Sequence, residues 1–177
     1  MTLSFKFNEL QSLLLQPVPP WLVVCSASQE GRPLRAHYDA SGLLFREIEG
    51  RRARRLDDMF SEFAREFLFP DYFGRNWSAF DECMADLGWL SSNGYVLEMN
   101  DFSRFLELDS IERDTFLRTM ASLAIEWSQG VSEGAEWDRP PVPFHTLLWV
   151  SDDELPGILG LLEGCAINVN DYAVLVS

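Results

Sequence analysis

The run FHTLLWVS, Phe144 to Ser151, is mostly apolar on both of the faces a strand would present. A strand of that kind belongs at a central position, in a sheet covered on both sides. GYVLEMND reads as a second strand, and between the two Ile111 to Gln129 carries Phe116, Met120, Leu123 and Trp127 on one stripe of a long helix. Strands alternating with helices through the middle of the chain argue for an α/β layer with parallel pairs. At 177 residues, with six Trp and thirteen Phe, the chain has the material for one well-buried domain with terminal additions.

Residues 4 to 15 read as a short amphipathic helix ended by QPVPP, where consecutive prolines enforce a break. The extended segment WLVVCSA, the turn chemistry of SQEGRP and then LRAHYDASG predict a β-hairpin over residues 21 to 39, and LLFREIEG a further strand. From Arg54 to Leu68, Leu56, Met59, Phe60, Phe63 and Phe67 recur at helical spacing. Pro70 and Gly74 punctuate that helix, and Asn76 can cap a second one running to about Leu87 and stopped by Gly88. FSRFLEL is a helical turn or two, and GVSEGAEWDRPPVP is a polar, proline-rich connection. DDELPGILGLLEG fits a helix with acids in its first turn, and DYAVLVS a terminal strand.

The 28 acidic against 14 basic residues give a formal net charge of -14, which repels phosphate backbones and anionic lipid. Direct nucleic-acid binding and membrane association are not expected. A basic protein partner is the electrostatic complement, although solubility alone accounts for such a charge equally well. There is no secretory signal pattern and no apolar run near the roughly eighteen residues of a membrane span. Cys25, Cys83 and Cys165 are scattered as reduced thiols in a cytoplasm would be.

The negative charge is concentrated. From residue 71 to 101 there are six acids and one Arg, Arg75. On a helical wheel at about 100° per residue, Trp77, Phe80, Cys83, Met84 and Leu87 share one side, while Ser78, Asp81, Glu82, Ala85 and Asp86 share the other. Asp86 falls in the last turn, where the helix dipole disfavours a carboxylate, and no Lys or Arg stands three or four residues from Asp81, Glu82 or Asp86. On physics alone the pattern fits first a solvated helix face, and it fits also a face that steers in a cationic partner.

The run FREIEGRRARRLDDMFSEFAREFLFPDYFGRNWSAFDECMADLGWL resembles the barstar-like family of intracellular ribonuclease inhibitors. Gly50, the amphipathic helix, then Pro70, Tyr72, Gly74 and Asn76 in FPDYFGRNWSAF, and Cys83 after a carboxylate carry the resemblance. It continues through GYVLEMNDF and FHTLLWVS, covering residues 43–151 and leaving 1–42 and 152–177 as terminal extensions. The resemblance implies a three-stranded parallel sheet flanked by helices in the barstar-like three-layer arrangement, extended here by the N-terminal hairpin and the C-terminal helix and strand. It also implies inhibition by plugging, with carboxylates taking the place of RNA phosphates among the nuclease's cationic residues. Matched by position, Tyr72 is the loop tyrosine that packs on the enzyme and Glu82 the central carboxylate, as Glu for Asp. Ser78 stands where the family has a contacting Asp, and Asp81 where it has a contacting Trp. The implied partner-binding set is Tyr72, Gly74, Arg75, Asn76, Ser78, Asp81, Glu82 and Asp86, with Glu126 on the long helix. These departures point to a cognate basic toxin other than the family's best-known target, with a ribonuclease as the favoured class, and so to an immunity protein. A barstar-fold module that regulates a non-toxin host enzyme, or immunity to a toxin that is not a ribonuclease, is the other reading.

Trp77 and Phe80 lie on the apolar side and read as core. Cys83 lies there too, and neither His37 nor His145 is marked as its base, so no catalytic dyad, and no enzyme, is expected. Tyr72 in its loop could bond to backbone or contact a partner. Arg51, Arg52, Arg54 and Arg55 form one basic cluster, with Asp57 and Asp58 within helical pairing distance of Arg54 and Arg55. Nothing in the sequence calls for a metal or a cofactor.

Overall fold

The strand expected to be central is central. In the computed structural model, which describes residues 3–26, 42–134 and 138–175, every residue of β5 (Phe144–Val150) is buried, and neighbours lie on both of its edges. Among the described residues the sheet has six strands in the order β1-β6-β2-β5-β4-β3, and each pairing between them is parallel. The others are β1 (Leu3–Phe5), β2 (Leu22–Ser26), β3 (Leu43–Glu49), β4 (Gly94–Asn100) and β6 (Tyr172–Leu175).

Among the described residues, helices cover the two faces unequally. On one face α2 (Leu56–Glu66), α3 (Trp77–Asp86), α4 (Ser110–Gln129) and α5 (Leu155–Gly164) pack Phe60, Phe63, Phe80, Met84, Phe116 and Leu162 onto Leu97, Met99, Phe144 and Leu148. On the other, α1 (Phe7–Leu14) sets Leu10, Leu13 and Leu14 against a layer with Val23, Val96, Leu147 and Trp149. The chain crosses the sheet in one direction through α2 to α5 and in the opposite direction through α1, on opposite faces. Both crossings therefore keep the right hand that twisted parallel strands require.

Three expectations need correction. The three strands implied by the resemblance are β3, β4 and β5, and the sheet continues past them through β2, β6 and β1. Leu22–Ser26 is no hairpin arm, because parallel β5 and β6 occupy both of its edges; the expected second arm, at 27–39, lies outside the described residues. The N-terminal helix starts later than its pattern suggests, because the backbone of Leu3–Phe5 pairs with Ala173–Leu175, a partner no local signal reveals.

Smaller points concern turns. FSRFLEL does form a helical turn, a 3-10 one at Phe102–Arg104. The acids before α5 precede its first turn, and Glu154 accepts from the Ser151 amide at 3.0 Å and the Ser103 hydroxyl at 2.6 Å. Gly50, after β3, packs on the next loop so closely that a Cβ would overlap the Asp101 carbonyl oxygen and stand 2.9 Å from that of Asn100. Two adjacent strand ends are locked together there, backbone on backbone.

Candidate protein-binding site

The helix α3 is built as its wheel predicts. Phe80, Cys83, Met84 and Leu87 are buried, Trp77 is half-buried, and Ser78, Asp81, Glu82 and Asp86 are exposed; Ala85, on the wheel's polar side, is half-buried against the core. Phe80 lies among the rings of Phe60, Phe63, Phe69 and Trp77, with centroids 5.0 to 6.1 Å away, so its helix face is fixed by an aromatic cluster.

Its start is set by Asn76. The extended backbone of this residue places Oδ1 to accept from the Ala79 amide at 3.0 Å, while Nδ2 donates to the Gly74 carbonyl at 3.1 Å. Its end differs from expectation, since the left-handed residue is Leu87, with φ of 41°, and Gly88 begins a 3-10 turn. Complete burial of the Leu87 side chain offsets a left-handed cost of about 1–2 kcal/mol. Asp86 bends back to accept from the Gly88 amide at 3.2 Å, a local reason for an acid in the last turn.

Indole hydrogen bonds hold α3 and the loops beside it. Trp77 Nε1 donates to Glu112 on α4 at 2.8 Å, and Trp127 Nε1 on α4 donates to the Met84 carbonyl at 3.0 Å. These contacts come in the same order along both helices, so α3 and α4 run in the same sense. Trp89 Nε1 donates to the Phe67 carbonyl at 2.8 Å and joins the segments on either side of α3. None of these indole partners was legible in the sequence, because each bond joins residues 22 to 43 positions apart.

The acidic face itself is left open. The side chains of Asp81 and Glu82 make no ion pair or hydrogen bond among the described residues, and that of Asp86 makes only its bond to the Gly88 amide. Arg75, the one nearby cation, is turned away. With φ of 50° it donates to the Asp57 carbonyl and the Ser61 hydroxyl, both at 2.9 Å, and pairs with the Asp57 carboxylate at 3.3 Å. The negative field is felt at Cys83, whose thiol is pushed up first by burial and then by Asp86 and Glu82.

Tyr72 is 83% exposed and makes no hydrogen bond among the described residues, so the backbone-bonding alternative does not hold. Gly74 and Asn76 form the cap beneath it. Sequence reasoning passed over Leu68, 61% exposed at a left-handed φ of 52°, and Trp89, 37% exposed; they flank the Tyr72 loop and the end of α3. Glu126 is exposed on α4, beside Trp127, and shares no hydrogen bond or ion pair with the acids of α3. Its charge acts instead on Arg139, whose guanidinium stacks 3.5 Å from the Trp127 ring centroid.

The basic cluster pairs otherwise than helical spacing suggests. Arg51 meets Asp101 at 2.8 Å, Arg54 meets Glu107, and Asp57 is taken by Arg75. The Cys25 thiol is pushed up beyond the ordinary thiol range by complete burial, which leaves it inert. Among the described residues no group of His, Cys, Asp and Glu is arranged to hold a metal ion, and no helix is long and apolar enough to cross a membrane.

Two solved structures are similar in fold. The structure of Drosophila ORC bound to AT-rich DNA and Cdc6 aligns with a TM-score of 0.52 and 11% identity, over 95% of this chain and 51% of that one. The ORC2 protein of Aeropyrum pernix, in ADPNP-ADP complexes, aligns with a TM-score of 0.51 and 13% identity, over 96% of this chain and 44% of the other. The chain thus spans about half the length of the structures it matches, and at such identity the likeness is one of fold alone. No curated protein matches the chain. Residues 43–148, more than half of the sequence, match the family described as Barstar (barnase inhibitor), and the chain belongs to that family of inhibitors.

Proposed function

We propose that this protein is an immunity protein that binds a cognate basic toxin, a ribonuclease, and covers its active site with α3 and the loop before it. The observation that carries this reading is an exposed carboxylate face, Asp81, Glu82 and Asp86, with no cation paired to it among the described residues and a helix beneath it tied to α4 near both of its ends. A face of this kind is a poor use of charge for stability, since like charges on one helix repel. It suits a partner that supplies the missing cations, and the Tyr72 ring beside it offers the rigid apolar contact that interface cores favour. The carboxylates would occupy the phosphate positions of RNA among the nuclease's Arg, Lys and His side chains, with Glu82 central and Ser78, Asp81, Asp86 and Glu126 around it. Gly74, Arg75 and Asn76 shape the Tyr72 loop. On this reading residues 43–151 are the inhibitory unit, in the barstar three-layer arrangement, and the cytoplasm is where it works.

The test uses the full chain and a D81A/E82A/D86A variant as parallel baits in extract of the native cell, followed by an RNA-cleavage assay on what each retains. The expected result is a small basic protein held by the wild type and lost by the variant, whose ribonuclease activity the wild-type chain suppresses. Steered association should slow by on the order of tenfold or more in the variant at low salt. Retention of the same proteins by both baits would refute the assignment, and a retained partner without nuclease activity would favour regulation of a host enzyme.

A further inference from the structure

At the carboxyl end of the sheet, away from the acids of α3, lies a cleft lined by Arg51, Arg54, Arg104 and Glu107. Arg51 belongs to the 3-10 turn Gly50–Arg52 after β3, and Arg104 to the turn Phe102–Arg104 after β4. These strands are adjacent and parallel, so both turns stand side by side beyond their carboxyl ends. Its walls are rigid. Gly50 packs on the Asp101 carbonyl, the Leu106 amide donates to the Ala53 carbonyl at 2.8 Å, and the Leu108 amide donates to that of Arg54 at 3.1 Å.

The arginines of the cleft already meet two carboxylates of the chain itself, Asp101 at 2.8 Å from Arg51, and Glu107. Arg54 Nε donates to one oxygen of Glu107 and Arg104 Nη1 to the other, the latter at 3.0 Å. Those bonds, Arg104's first, keep the Glu107 carboxyl below the usual carboxylate range. Donors are left over, since the terminal nitrogens of Arg51 and Arg54 and Nη2 of Arg104 make no hydrogen bond among the described residues. The three side chains are 72%, 48% and 57% exposed, and so are open to a ligand. Arginine forks suit planar and tetrahedral oxyanions better than any other side chain, and a dianion with three oxygens can engage more of these donors than a carboxylate can. Arg52 and Arg55, both exposed in the same short run, add to the local positive field on a chain of net charge -14.

We propose that this cleft binds the phosphate groups of a small phosphorylated compound, with Arg54 and Arg104 as its principal ligands and Glu107 as an internal competitor. Calorimetric titration of the full chain with pyrophosphate, at ionic strength held constant with KCl, tests it. Saturable one-site binding is expected, weaker by about tenfold or more in R54Q/R104Q, the scale of losing hydrogen bonds to a charged group. E107Q is expected to bind several-fold tighter, because it releases two guanidiniums. R51Q, at a mostly exposed side chain, gives a variant whose weakening does not depend on the integrity of the fold, and urea midpoints of all variants check that integrity. Absence of saturable heat, equal affinity across the variants, or weaker binding by E107Q would overturn the proposal. ADP should bind as pyrophosphate does; binding of a 5′-phosphorylated oligonucleotide alone would overturn the small-ligand assignment. None of these outcomes depends on the toxin reading, whose test leaves the arginines untouched.

Discussion

Replacing Asn76 by Ala removes both bonds by which the Tyr72 loop is joined to the first turn of α3. The Ala79 amide loses its acceptor at 3.0 Å and the Gly74 carbonyl its donor at 3.1 Å. Because Asn76 is exposed, water replaces part of each bond, so the cost stays in the range measured for helix caps, about 1 kcal/mol, and not at the level of buried unsatisfied groups. For a domain of this size that lowers the thermal midpoint by about 2–4 °C. In urea, with a slope of about 2 kcal/mol/M, it moves the midpoint by about 0.5 M at unchanged slope. The order across a series is as diagnostic as the size. Asp keeps the acceptor and adds a charge the helix N-terminus favours but has no donor for the Gly74 carbonyl, so it should lose part of what Ala loses; Gly should lose only a few tenths of a kcal/mol; Ala should lose the most. If Ala, Gly and Asn were indistinguishable by urea denaturation, the cap would not hold the turn, and the reasoning that ties the loop to the helix would fail.

Two further perturbations test the frame around the site. His145 is fully buried with Nδ1 and Nε2 each 3.0 Å from a carbonyl oxygen, of Pro20 and Gln16, and burial lowers its pKa while those carbonyls oppose the shift. A folded pKa below the unfolded value of 6.5 means that the unfolded chain takes the proton first, so stability should fall as pH drops from about 6.5 toward the folded pKa and level off beyond it. Thermal midpoints from pH 7.5 to 5 would record that fall, H145Q should flatten it, and a midpoint that rises on acidification would show that the two carbonyls favour the imidazolium. Gly50→Ala should destabilise by about 1–3 kcal/mol in urea, because the overlap is with backbone, the carbonyl of Asp101, and not with a side chain that can swing aside; a neutral result would show that the two strand ends can separate.

The elements that sequence periodicity could reach were the ones whose partners are local or whose burial is nearly total. The apolar run of β5 announced a central strand, and Phe60, Phe63 and Phe67 announced the face of α2, because a side chain's repeat is set by its own element. What that repeat leaves open is which strand lies beside which. β2 carries five buried residues and apparent turn chemistry after it, so a hairpin was the economical reading; its neighbours are instead β5 and β6, more than a hundred residues away in sequence. The pairing of Leu3–Phe5 with the last strand is of the same kind, decided by edges available in the assembled sheet.

The site divides along the same line. That Asp81, Glu82 and Asp86 would share an exposed face follows from helical geometry alone, whereas the fate of Arg75 does not. It lies close in sequence to these acids, and its left-handed backbone carries the side chain to Asp57 and Ser61 on α2. Elsewhere the chain matches its cations to nearby carboxylates: Arg65 to Glu62 and Glu66, Arg104 to Glu107, Arg118 to Asp114. Among the described residues, exposed acids without an ion pair stand elsewhere too, Asp58, Asp71 and Glu163 included, and what sets α3 apart is that three share one helix face. Here the nearest cation pairs with another helix, while Trp77 and Trp127 tie the acidic helix to α4 through their indole N–H groups without adding a charge to it. Indole bonds fix the position of a helix and leave its potential undiminished, which is the combination a surface needs if its counter-charges are to come from another molecule.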